Sequence, residues 1–233
     1  MSQIISIEGN IGSGKSTILK YLKEYFKNTE NIIFLQEPID IWETIKDENG
    51  QTILSKFYEN QEKYSFAFQM MAYISRLSIL RNTIKENPTT IIITERCLNT
   101  DRYVFAKMLY DSKKIEEIEY QIYLKWFDEF LDTIQNSKMI YMKTNPEICY
   151  QRIAKRNRDG ESNISLTYLE GCHNYHESMI QQLTYEILEI NSNIDTDLNK
   201  EILNEWYKMI EDFIFLEDFG RTSLYNSPMD LPN

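Results

Sequence analysis

A short apolar run, Ile4-Ile5-Ser6-Ile7, leads through Glu8 into Gly9-Asn10-Ile11-Gly12-Ser13-Gly14-Lys15-Ser16-Thr17. The pattern G-x-x-x-x-G-K-[ST] constrains this chain more than any other stretch, because its physics requires a strand on one side and a helix on the other. Successive backbone N–H groups of such a loop can surround a polyphosphate, and its glycines let the backbone approach the oxygens closely. The helix from Ser16 onward aims the positive end of its dipole at the same anion. Lys15 supplies a mobile charge, and the Ser16 hydroxyl can join the shell of a Mg²⁺ ion. A glycine-rich turn before a helix is the plain alternative, but the full pattern with both flanks favours a nucleoside triphosphate such as ATP, held by residues Gly9 to Thr17.

The remaining chain alternates short apolar runs with longer helical patterns. Strands are expected at Ile4–Glu8, Ile32–Gln36, Thr90–Thr94, Met139–Lys143 and Ile187–Ile190. Helices are expected over Ser16–Phe26, about Gln61–Glu86, two between Asp101 and Ile134, then Pro146–Lys155, Leu166–Thr184 and Asn199–Phe215. Asn145-Pro146-Glu147 reads as a helix start, with proline at the first helical position and an acid in the first turn. This βαβα rhythm predicts an α/β fold in which helices cover both faces of a parallel sheet. Ligands then gather beyond the C-terminal ends of the strands. A single domain over 1–219 is expected, with Asp47–Gln51 as a polar turn and a loose tail over Gly220–Asn233.

Twenty-five Lys and Arg against 36 Asp and Glu leave a formal charge of −11, which argues against a general nucleic-acid binder. The cations needed for ATP must therefore be concentrated locally. Arg152, Lys155, Arg156 and Arg158 supply such a concentration, where a helix gives way to the polar loop 159–163. They fit a lid over about 152–165 that closes on a triphosphate, with a plain solvated helix end as the alternative. Cys97, Cys149 and Cys172 form no zinc or disulfide pattern, which favours a reducing compartment. His173 and His176 read as a solvated or half-buried helix face. No apolar run reaches the roughly 18 residues of a membrane span. The first strand starts almost at Met1, leaving no room for a targeting peptide, so the cytoplasm is expected.

Two strand ends carry further chemistry. After the second strand come Glu37 and Pro38; the acid could take the proton of an attacking hydroxyl, and the proline discourages helix there. A solvated loop acid fits the same residues. After the third strand, Glu95 stands where P-loop proteins keep a second group for Mg²⁺. Arg96 beside it could neutralise Glu37 or hold a phosphoryl oxygen, and a structural ion pair is the alternative.

Taken together, GNIGSGKST, EPIDIW, YSFAFQ, ERCLNTDRYVFA, WFDEF, IYMKTNPEICYQRIAKRNR and LTYLEGCHNYHES run in order through most of residues 4–190. They resemble the deoxynucleoside kinase family, in particular its deoxycytidine and deoxyguanosine kinase branch. The resemblance implies a three-layer P-loop kinase fold with a five-stranded parallel sheet, an arginine-rich lid and a homodimer. It also implies transfer of a triphosphate's γ-phosphoryl group to the 5′-hydroxyl of a deoxynucleoside. Glu37 would be the base, with Ser16 and Glu95 serving Mg²⁺ and Arg96 lying between base and phosphoryl group. Arg152, Arg156 and Arg158 would be the lid arginines, while Tyr58 and Glu161 would hold the sugar 3′-hydroxyl. Gln69 would pair with the nucleobase, inside walls made by Ile11, Trp42, Leu54, Phe68 and Phe105.

The resemblance extends to base choice. Arg76 lies two helical turns beyond Gln69, and Asp101 follows the Glu95-Arg96 pair. In the family these two mark kinases that accept cytosine or purine bases. A carboxylate only accepts hydrogen bonds, so it suits the exocyclic amine of cytosine or adenine and is left unpaired by thymine. A plain surface pair of Arg76 with Asp101 is the alternative. Departures from the pattern include Cys97, where serine is usual and a thiol could bring sensitivity to oxidation, and Asn157 between the lid arginines. A thymidylate or other nucleoside monophosphate kinase would need cations for its acceptor's phosphate near the second strand, where Glu37 stands instead. A nucleotide switch of the GTPase type would carry N-K-x-D, which is missing.

Overall fold

The computed structural model describes residues 2–131, 138–156, 158, 161–196 and 199–216. Strands β1 (Gln3–Glu8), β2 (Ile32–Leu35), β3 (Ile91–Glu95), β4 (Lys138–Lys143) and β5 (Glu186–Asn191) form one sheet in the order β2-β3-β1-β4-β5. Every pairing is parallel. All five expected strands are therefore present within a residue or two of their predicted ends. Alternation along β1 and β3 divides the core between the two faces. Ile5, Ile7 and Ile93 pack with helices α1 (Lys15–Tyr25) and α10 (Lys200–Phe215). Ile4 and Ile92 pack on the other face with α4 (Gln61–Glu86) and α7 (Glu117–Leu131).

Two short helices that the sequence did not announce lie between β2 and α4: α2 (Ile39–Thr44) and α3 (Ile53–Glu59). Pro38 caps α2 rather than preventing helix, since a missing N–H costs nothing at a helix start. The polar turn at Asp47–Gln51 is present, closed by Gly50 N–H to the Asp47 carbonyl at 3.0 Å. Thr52 and Asn60 then cap α3 and α4 with side-chain oxygens.

The helix expected from Asp101 begins earlier, as α5 (Leu98–Thr100), passes through a wide π-helical stretch at Asp101–Ala106 and ends as α6 (Lys107–Asp111). Such stretches occur often at functional sites. Helices α8 (Pro146–Arg156) and α9 (Leu166–Gln182) follow β4 as expected. No helix among the described residues is long and apolar enough to cross a membrane. The tail expected at Gly220–Asn233, like Asn157, lies outside the described residues.

Candidate active site

The loop between β1 and α1 is built from positive-φ glycines: φ is +142° at Gly9, +79° at Gly12 and +97° at Gly14. A Cβ on Gly9 would stand 2.7 Å from the Met142 carbonyl oxygen, and one on Gly12 would stand 2.7 Å from that of Cys149. Space as well as conformation therefore demands glycine at both. Lys15 is buried and donates to the Asn10 carbonyl at 2.7 Å. Burial, and then the Arg96 charge, pull its ammonium down to about 8. The side chain of Asn10 donates to the Leu169 carbonyl at 2.8 Å, tying the loop to α9.

Ser16 Oγ donates to Glu95 Oε1 at 2.6 Å, which brings two hard oxygen donors from α1 and β3 together. That pair suits Mg²⁺, which binds through one or two protein oxygens and completes its shell with phosphate and water. Among the described residues no cluster of three or more His, Cys, Asp or Glu forms a metal centre by itself.

Glu37 reaches the same space from the end of β2. Its Oε1 accepts from Arg76 Nη2 at 3.1 Å and lies 3.3 Å from Arg96 Nε. Burial works to raise this carboxyl, but Arg96, Arg76 and Lys15 outweigh it and hold the group below its ordinary range. Arg96 is itself over-determined. It is buried, holds a left-handed φ of +66°, donates to the Gly9 carbonyl at 2.9 Å and lies 4.9 Å over the Phe105 ring. A non-glycine residue in that backbone region is strained, and such strain collects at functional sites.

Arg76 is not on the surface. It grips Asp101 with two hydrogen bonds, Nε to Oδ2 at 3.0 Å and Nη2 to Oδ1 at 3.2 Å, inside the protein. Its Nη1 and the Gln69 Oε1 are buried without a partner in the protein. Unsatisfied polar atoms at the wall of a cavity are where a polar ligand edge would be held.

These groups line a cavity of about 500 Å³. Its lining takes Gly12, Gly14, Lys15, Ser16, Thr17 and Glu95 from the loop, α1 and β3, with Arg152, Arg156 and Arg158. Ile11, Trp42, Leu54, Tyr58, Phe68, Gln69, Arg76, Asp101, Phe105 and Glu161 line it too, with Glu37 and Arg96. Of the predicted site residues, Gly9, Asn10 and Ser13 alone do not line it. All three are buried within the loop. Arg156 and Arg158 both bind Glu161, at 2.6 and 3.5 Å. Arg152 instead donates to the Ser13 and Ile194 carbonyls, at 3.4 and 3.1 Å.

Sequence gives no sign of two lining residues, Tyr168, which meets Tyr58 edge-on at 6.4 Å, and Thr196. Phe57, within the aromatic-rich segment Phe57–Tyr73, stacks on Phe68 at 4.6 Å, and Ser192, Ile194 and Asp195 come from the segment after β5, which resembles the family's donor-base loop only loosely. Sequence also gives no role to Glu8, fully buried beneath the site, which accepts from Cys97 N–H at 2.7 Å and the Thr100 hydroxyl at 2.6 Å. Two expectations are corrected. Cys97 is buried, and burial with the Glu8 charge raises its thiol far above the reactive range. His176 is wholly buried with Nδ1 against the Cys172 carbonyl at 2.7 Å, while His173 is half-buried.

A glycine cradle, an ionised acid beside it and an aromatic pocket ending in unpaired polar atoms fit phosphoryl transfer to an uncharged acceptor. The sequence profile of deoxynucleoside kinase matches residues 5–213. The chain belongs to the deoxynucleoside kinase family. Human deoxycytidine kinase is similar at 32% identity over 231 residues, covering 89% of this chain and 88% of the relative. A probable deoxycytidine kinase of Fowlpox virus (strain NVSL) is 34% identical over 220 residues, with the same coverage of 89% and 88%. Human mitochondrial thymidine kinase 2 is 34% identical over 179 residues, covering 76% of this chain and 64% of that protein. This deoxynucleoside kinase thus phosphorylates deoxynucleosides, and the monophosphate-kinase and switch readings fall away.

Proposed function

We propose that the kinase moves the γ-phosphoryl group of ATP, assisted by Mg²⁺, to the 5′-hydroxyl of deoxycytidine and/or a purine deoxynucleoside. The observation that carries this reading is Glu37, held by Arg76 and Arg96 across the cavity from the phosphate loop. The 5′-oxygen would bond to Pγ as the bond from Pγ to the bridging oxygen breaks, the electron pair leaving on ADP. Glu37 would receive the hydroxyl proton. Arg96, Lys15 and the arginines 152, 156 and 158 would meet the charge that shifts during transfer. Mg²⁺, held through Ser16 and Glu95, would add its charge to the same phosphates.

The acceptor has no charge to grip, so aromatic faces and a few paired polar groups must bind it. Phe68, Phe105 and Trp42 would wall the base, with Ile11 and Leu54 completing the lining. Tyr58, whose hydroxyl burial keeps protonated, and Glu161 would hold the 3′-hydroxyl. Relatives named for deoxycytidine and for thymidine are equally similar in identity, so their names do not choose the base. The Arg76–Asp101 pair favours a base bearing an amino group.

A cytoplasmic enzyme suits the three free, buried cysteines. A homodimer would cover the apolar residues that α7 leaves open, Ile118, Ile122 and Trp126. The test is a panel in which ATP and Mg²⁺ are supplied with each deoxynucleoside and ribonucleoside in turn. Transfer to deoxycytidine, deoxyadenosine or deoxyguanosine well above thymidine is expected. Thymidine as the best acceptor would overturn the base assignment.

A further inference from the structure

The carbonyl oxygen of Ser13 is a meeting point for three distant elements. Ser192 Oγ donates to it at 2.9 Å from the end of β5, Thr144 Oγ1 at 3.3 Å from the end of β4, and Arg152 Nη1 at 3.4 Å from α8. Ser192 and Thr144 are both almost wholly buried. The Ser192 contact is the short one, and the Thr144 hydroxyl is shared with the Met142 carbonyl at 3.4 Å. Ser192 is itself fixed, because its N–H donates to the Lys143 carbonyl at 2.8 Å.

The direction of this carbonyl decides what the loop can do. In a planar trans peptide the C=O of one residue and the N–H of the next point opposite ways. Holding Ser13 O with Ser192, Thr144 and Arg152 therefore fixes the Gly14 N–H in the opposite direction, and Gly14 itself lines the cavity. Gly14 has a glycine's freedom at φ +97°, so without such a hold the peptide could rotate and present a carbonyl to the anion instead.

We propose that Ser192 is a positioning residue for the phosphoryl donor: through the Ser13 carbonyl it orients the Gly14 N–H of the phosphate cradle. Thr144 plays the same part more weakly. This rests on the reading that the triphosphate lies at the glycine loop. It also links the segment 192–196, which lines the cavity, to the loop that grips the phosphates.

The test compares Ser192→Ala, Ser192→Thr, Thr144→Val and Lys15→Ala with the intact chain. The Kd for ATP is measured by calorimetry, and KM for ATP and for the best deoxynucleoside of the panel by initial rates. Ser192→Ala should weaken ATP by about 3–10-fold, the size of one oriented hydrogen bond. KM for the deoxynucleoside should stay within about twofold, because, Ile11 apart, the residues assigned to the acceptor lie outside the cradle. Ser192→Thr keeps the hydroxyl and should restore ATP binding. Thr144 does not line the cavity, so a weaker loss of the same kind in Thr144→Val reports on the backbone it holds, chiefly the Ser13 carbonyl, and not on direct contact with ATP. ATP binding unchanged in Ser192→Ala, or both KM values rising together, would overturn the inference. If Ser192→Ala does not fold, the same criteria apply to Thr144→Val. Lys15→Ala reports separately: if it binds ATP as tightly as the intact chain, the triphosphate is not at the loop and the underlying reading fails.

Discussion

The proposed proton acceptor, Glu37, is a carboxylate that Arg96, Arg76 and Lys15 keep ionised. Glu37→Gln preserves its shape and removes the proton acceptor. The variant should lose about 10²–10⁴-fold in kcat and keep its fold, with a lower melting temperature from the lost ion pairs, in a steady-state assay paired with thermal unfolding. Wild-type turnover would remove Glu37 from the reaction. The pH dependence has a definite sign. A carboxyl held below its ordinary value of 4.5 stays charged above that value and loses its charge only as pH falls through the lower folded pKa. The acid limb of kcat/KM should therefore lie below 4.5, and Glu37 contributes stability that is present above 4.5 and lost on acidification past that limb. An acid limb near pH 6 would mean that another group takes the proton.

At the scale of elements, the proposed base preference rests on the pairing of Arg76 on α4 with Asp101 in the π-helical stretch. Arg76 and Asp101 replaced together by Met and Ala should raise thymidine use relative to deoxycytidine by at least about tenfold, read from the ratio of kcat/KM values. Asp101→Ala alone should instead lower the melting temperature, because it leaves the buried Arg76 guanidinium with Glu37 as its one remaining partner among those contacts. The five strands could be read from sequence because parallel strands buried on both faces are short, continuous apolar runs. The long α4 could be read from its length and its start. Helices α2 and α3 could not, since six or seven residues are too few to show a period. Nor does any residue type mark the wide turns at Asp101–Ala106. In the site, residues next to a motif such as Glu37, Arg96 and Lys15 were legible. The contacts of Glu8 with Cys97 and of Ser192 with Ser13 were not, because they join residues 89 and 179 positions apart.

Over the whole molecule, the exposed face of α7 is the feature that bears on assembly. Ile118 and Ile122 lie one helical turn apart, with Trp126 one turn further, and are 71%, 41% and 50% exposed. Trp126→Glu should convert a dimer to a monomer in light scattering, while the intact chain elutes at twice the monomer mass. The reacting groups hang from the C-terminal ends of β1, β2 and β3, and the Ser13 carbonyl is held from the ends of β4 and β5. The opposite rim, where exposed Thr89 precedes β3, carries none of these groups. All three native thiols are buried. A cysteine installed at Thr89 would therefore be the single thiol open to a maleimide dye or a surface tether, and the enzyme could be anchored by its underside while it turns over freely above.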